Sequence, residues 1–90
     1  MNLTNRRNEL SDYQAVKSFV FASAVIADGY NGHTKKVLLS SVGNKLAVVD
    51  PDKGYYYTDI DVHGLDQSEL FWMLKNNPNA KRRYKNVKPL

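Results

Sequence analysis

The sequence predicts an α+β fold made of an N-terminal helix, a three-stranded antiparallel meander, a helix and a short basic C-terminal helix. Three observations support this prediction. An apolar segment over residues 12–27 follows a helix-capping pattern, turn signals divide residues 36–62 into three strands, and a second capping pattern precedes an apolar helical stripe at residues 70–74. The 90 residues, 42% of them apolar, suit one domain with one modest core.

The first helix is predicted over residues 12–27. Ser11 and Gln14 have the spacing of a capping box, in which each side chain bonds a backbone N–H at the start of the helix. The residues that follow are apolar on nearly every side, which is typical of a helix buried against a sheet or in a homodimer. Their Val, Ile and Phe content leaves a strand over residues 19–26 as the alternative.

Three strands are predicted next, joined by two turns. Gly43-Asn44 is a two-residue hairpin signal between a strand over residues 36–42 and one over residues 45–49. Residues 50–54 contain the proline and glycine of a second turn, and the third strand follows over residues 55–62.

Side-chain alternation divides the third strand into two faces. The predicted core face carries Tyr56, Thr58, Ile60 and Val62. The predicted outer face carries Tyr55, Tyr57, Asp59, Asp61 and His63. Tyrosine offers a large contact area with a polar tip. We therefore expect a protein partner to bind this outer face through Tyr55, Tyr57, Asp59 and Asp61.

A second helix is predicted after a capping box formed by Asp66 and Glu69. Pro78 ends this helix, because the residue before a proline resists helical geometry, and Asn77 can cap a new short helix. The chain thus divides into a flexible N-terminal segment, a single domain and a basic C-terminal tail or helix. The predicted boundaries are 1–10, 11–77 and 78–90.

Positive charge is concentrated at the C-terminal end. Residues 1–74 hold seven Lys and Arg against nine Asp and Glu, whereas residues 75–90 hold six cations and no acid. Lys and Arg bind phosphate backbones by displacing condensed counterions. We therefore expect this segment to contact nucleic acid or another polyanion, such as an acidic protein surface. The expected contact residues are Lys81, Arg82, Arg83, Tyr84, Lys85 and Lys88, with the tyrosine stacking on a base.

The residue inventory favours a binding protein over an enzyme. The chain has no cysteine, which excludes disulfides and thiolate chemistry and is typical of the reducing cytoplasm. It has no serine-nucleophile elbow, no glycine-rich phosphate loop and no apolar run long enough to cross a membrane. We therefore predict a non-enzymatic accessory or regulatory protein without a cofactor or membrane partner. The alternative is an inhibitor or adaptor, of the kind phages and mobile elements encode, that binds a host protein.

The weakest candidate site is a metal site on the third strand. Asp59, Asp61 and His63 alternate along the strand, so their side chains would point the same way about 7 Å apart. Two carboxylates and an imidazole can ligate a divalent cation. A metal-dependent hydrolase is therefore a distant alternative, whereas the solvent face of a strand explains the same residues without a metal.

Overall fold

A five-stranded antiparallel sheet dominates the computed structural model, which describes residues 12–29 and 31–90. The strand order is β4-β3-β2-β1-β5. The strands are β1 (Val20–Ala27), β2 (Thr34–Ser40), β3 (Lys45–Asp50), β4 (Gly54–Asp61) and β5 (Lys85–Pro89). The helices are α1 (residues 12–18), α2 (Gln67–Asn76) and α3 (Pro78–Arg83). Strands β2, β3 and β4 correspond to the three predicted strands.

The prediction of one helix over residues 12–27 is wrong, because α1 ends at residue 18 and the chain continues as β1. β1 lies inside the sheet, between β2 and β5, so it is apolar on both faces. A strand of this kind has the same all-round apolar composition as a buried helix. The Val, Ile and Phe residues decide the outcome, since β-branched and aromatic side chains favour an extended backbone.

The predicted three-stranded sheet with a basic C-terminal helix is also wrong. Helix α3 stops at Arg83, and the next residues form β5, which pairs with β1 and makes the sheet five-stranded. Strand β5 has little apolar alternation of its own. It forms because β1 offers backbone partners at its free side, while a register shift and the positive φ of Asn86 (51°) accommodate a bulge.

The sheet has a helix on each face. The register places one side chain from each of four strands in a single row, and Leu39 and Val48 of that row pack in the core with Leu70 and Leu74 of α2. We call this the α2 face. The row consists of Ala22, Leu39, Val48 and Tyr56.

Helix α1 lies against the opposite face, the α1 face. The Tyr13 ring stacks on the Tyr55 ring with centroids 5.4 Å apart. The buried Ser40 hydroxyl donates a hydrogen bond to the Val16 carbonyl oxygen at 2.6 Å. These contacts join α1 to β4 and β2 on this face.

Both predicted helix starts near the C-terminus are confirmed. Asp66 and Glu69 form the capping box at the start of α2, and the Asn77 side chain accepts hydrogen bonds from the first turn of α3. The box assigned to Ser11 and the flexible segment over residues 1–10 lie outside the described residues. None of the helices in residues 12–29 and 31–90 is long and apolar enough to span a membrane.

Candidate nucleic-acid interface

A groove of about 720 Å³ opens on the α2 face, beside the junction between α3 and β5. Strands β1 and β4 contribute its other walls, so the groove brings together residues from both halves of the chain. We call it the Tyr56 groove. Its lining includes an isoleucine packed against the core, a core tyrosine, an exposed tyrosine and three cations: Ile26, Tyr84, Tyr56, Arg82, Arg83 and Lys85.

Of the tyrosines that the structure describes, three line the groove: Tyr56, Tyr57 and Tyr84. Tyr56 and Tyr84 lie on its core side. Tyr56 lies on the core side of β4, as predicted, but 40% of its surface is exposed at the groove. Tyr84 is only 5% exposed and belongs to the core cluster. Burial raises the pKa of both hydroxyl groups above the ordinary value for tyrosine. Both rings are therefore uncharged at neutral pH.

An ion-pair cluster lies next to Tyr56, whose pKa responds to the charges of Asp50 and Lys35. The Lys35 Nζ atom lies 2.7 Å from Asp50 Oδ2, and within 4 Å of one carboxylate oxygen each of Asp28 and Asp52. The hydrogen bond between Lys35 and Asp50 raises the pKa of the lysine and lowers that of the aspartate. Because one lysine faces three aspartates, this cluster is net negative and adds no positive charge to the groove.

The C-terminal cations are more exposed than Lys35 and form fewer ion pairs. All six cations in residues 75–88 are exposed. Among these six cations, Arg83 is the one with an ion pair in the described structure, its Nη1 atom lying 3.1 Å from Asp59 Oδ1. Arg82 and Lys85 donate hydrogen bonds to neutral oxygens of α3, so their charges stay uncompensated.

The predicted nucleic-acid contacts do not all share one surface. Arg82, Arg83 and Lys85 line the Tyr56 groove together, whereas Lys81 and Lys88 lie away from it. Lys88 is on β5, in register with Ser23, whose side chain belongs to the α1 face. Tyr84 packs in the core, so its ring is a wall of the groove and lacks the exposure that stacking on a base requires.

The predicted protein-binding face is divided by a bulge in β4. The register shifts between the pairs Lys45–Asp61 and Ala47–Tyr57, which places additional β4 residues between them. Tyr57 is 51% exposed. Tyr55 is partly covered by Tyr13 of α1, as described above.

The acidic residues of this face also separate. Asp59 pairs with Arg83 at the rim of the groove, whereas Asp61 is exposed and its Oδ1 atom accepts a hydrogen bond from the His63 backbone N–H. The His63 ring nitrogen Nδ1 lies 2.8 Å from Asn44 Oδ1. Across residues 12–29 and 31–90, no group of three His, Cys, Asp or Glu side chains is placed to hold a metal ion.

Sequence reasoning missed Tyr56 and Ile26 as site residues. Alternation assigned Tyr56 to the core, and Ile26 was placed in a helix. A tyrosine at a core position was an available signal, because its hydroxyl needs a polar or solvated neighbour. No protein family, curated protein or solved structure matches this chain, so its own geometry is the basis for assigning a function.

Proposed function

We propose that this protein is a non-enzymatic nucleic-acid-binding protein that contacts phosphates through the cations around α3 and the start of β5. The observation that carries this proposal is the uncompensated charge of that region: the segment has six cations and no acid, and its one ion pair in the described structure involves Arg83. Each phosphate that a Lys or Arg neutralises releases condensed counterions and adds to affinity. The contact residues are Lys81, Arg82 and Lys85, because Arg83 is paired with Asp59.

The rigidity of the segment supports the proposal. Asn77 caps α3, and β5 is hydrogen-bonded to β1, so the backbone that carries these cations is already ordered. Binding through an ordered backbone loses less conformational entropy than binding through a disordered tail. The backbone that carries these cations is therefore held in place. We give the name α3–β5 patch to the four cations on it: Lys81, Arg82, Arg83 and Lys85.

A triple substitution of Lys81, Arg82 and Lys85 by Gln tests the proposal. We expect gel retardation of a DNA strand by the wild-type protein, and loss of that retardation in the triple variant. The matched control is Lys17→Gln, Lys45→Gln and Lys53→Gln, which removes the same charge from exposed positions elsewhere. Equal binding by the triple variant and the wild type would reject the proposal.

The second candidate function is binding of a protein partner at β4. The observation in its favour is the half-exposed ring of Tyr57 on an edge strand of the sheet. Tyrosines on exposed edges are suited to anchoring an interface. Binding to an isolated partner should weaken in Tyr57→Ala and persist in Lys53→Gln; undiminished binding by Tyr57→Ala would reject this candidate.

A further inference from the structure

We propose that the Tyr56 groove takes an unpaired base of a single-stranded nucleic acid, while the neighbouring phosphates contact Arg82 and Lys85. The inference rests on the proposed function and narrows it, because it states that the site binds single strands more tightly than duplexes. Its experimental test therefore includes a probe that has phosphates but no bases.

The size and lining of the groove fit a nucleobase. Its volume of about 720 Å³ lies within the roughly 300–1,000 Å³ typical of small-molecule sites. Tyr56 presents an exposed ring, and Ile26 and the buried Tyr84 add apolar walls. A flat aromatic ring of this kind stacks on any base, since every base has a π face.

The charges at the rim fit a strand passing over the groove. Three cations and one carboxylate are present there: Arg82, Arg83 and Lys85 against Asp59. The Asp59 carboxylate is held by Arg83, which leaves Arg82 and Lys85 to attract phosphates. A site that combines aromatic rings with unpaired cations is suited to the alternating bases and phosphates of a single strand.

The same features disfavour a duplex. A base inside a duplex is stacked on both sides and cannot offer its face to Tyr56. Reading a duplex in its major groove requires a protruding helix or ribbon. Helix α3 has only six residues, and Ala80 fixes one side of it in the core. The cations of α3 therefore lie beside a concave groove, where a strand with exposed bases can reach both.

The test compares three labelled probes of equal length by fluorescence anisotropy: oligodeoxythymidine, the same backbone without bases, and a duplex. We expect the wild-type protein to bind oligodeoxythymidine roughly one to two orders of magnitude more tightly than the base-free strand, the effect of one stacked base. Tyr56→Leu, which keeps an apolar side chain but removes the ring, should abolish this ratio. Tyr56→Phe should preserve it, as should Trp72→Leu, which removes an exposed ring on α2.

The outcomes separate this inference from the proposed function. Equal wild-type affinity for oligodeoxythymidine and the base-free strand would overturn the base site and leave phosphate binding intact. That comparison needs no variant, so it stands even if Tyr56→Leu does not fold. Tighter binding of the duplex than of oligodeoxythymidine would also overturn the base site. Failure to bind any of the three probes would overturn both proposals.

Discussion

Arg83 and Asp59 join α3 to β4 across the rim of the Tyr56 groove, with 3.1 Å between Nη1 and Oδ1. Both side chains are substantially exposed, and pairs of this kind add at most about 1 kcal/mol to stability. The pair therefore matters chiefly because it withholds one arginine from ligands and places one carboxylate beside the α3–β5 patch.

Asp59→Asn should raise the affinity for a DNA strand, because it frees Arg83 and removes a charge that repels phosphate. If Arg83 gains one phosphate contact, the slope of log K against log salt should steepen by about 0.7. Anisotropy titrations over a range of salt concentrations measure both quantities, and Asp61→Asn, which removes an exposed acid outside the groove lining, is the control. Unchanged or weaker binding by Asp59→Asn would contradict the account.

The Lys35–Asp50 pair should shape the pH dependence of stability. The pKa of Asp50 is lowered by its hydrogen bond to Lys35, so its contribution is present above the ordinary aspartate value of 3.8 and is lost as the pH falls further. The pKa of Lys35 is raised, so its contribution is present below 10.5 and is lost as the pH rises through the higher folded-state value.

Asp50→Asn should therefore lower the melting temperature at neutral pH and flatten the acid limb of a plot of melting temperature against pH. Asp61→Asn, at an exposed carboxylate, is the control. Acid limbs of equal steepness in Asp50→Asn and the wild type would show that this pair does not set the profile.

The Asn77 side chain should stabilise the turn that presents the α3–β5 patch. It accepts hydrogen bonds from the N–H groups of Asn79 and Ala80, at 2.9 and 3.3 Å. Asn77→Ala should reduce the free energy of unfolding by about 1 kcal/mol, measured by urea denaturation. Asn77→Asp retains the acceptor and should recover most of the loss; an equal loss in both variants would argue against a capping role.

Tyr84 should act on stability more than on binding, because its ring is buried. Tyr84→Ala removes a large core side chain and should cost about 3–5 kcal/mol, the range for comparable aromatic truncations. Tyr84→Phe keeps the ring and should bind a DNA strand as the wild type does. A marked loss of affinity in folded Tyr84→Phe would show that the hydroxyl group contacts the ligand.

Features of this fold that depend on neighbouring residues were predictable from the sequence. The capping box of Asp66 and Glu69 and the cap by Asn77 follow from side chains within three positions of one another. Strands β2, β3 and β4 follow from turn residues and short apolar runs.

Strands β1 and β5 were not predictable in the same way, because they depend on pairing between distant segments. β1 is an interior strand because β2 and β5 pair with its two edges, and β5 joins the sheet through its pairing with β1. Predicted caps at Ser11 and Asn77 favoured helix in both places, with a strand over residues 19–26 as the alternative in the first.

The candidate site likewise has a part that the sequence indicates and a part that depends on distant segments meeting. Charge segregation can be counted in the sequence, so the cations of the α3–β5 patch could be named without the structure. The groove requires Ile26 of β1 and Tyr56 of β4 to meet the α3–β5 junction, which sequence spacing does not indicate. The bulge in β4 also breaks the alternation on which the outer face of Tyr55, Tyr57, Asp59 and Asp61 was predicted.

The salt dependence of affinity for a DNA strand tests phosphate binding by the α3–β5 patch most directly. For a single strand, each neutralised phosphate contributes about −0.7 to the slope of log K against log salt. The Lys81, Arg82 and Lys85 triple variant should therefore have a slope shallower than the wild type by about 2, with the Lys17, Lys45 and Lys53 control unchanged. Parallel lines for the triple variant and the wild type would contradict the account.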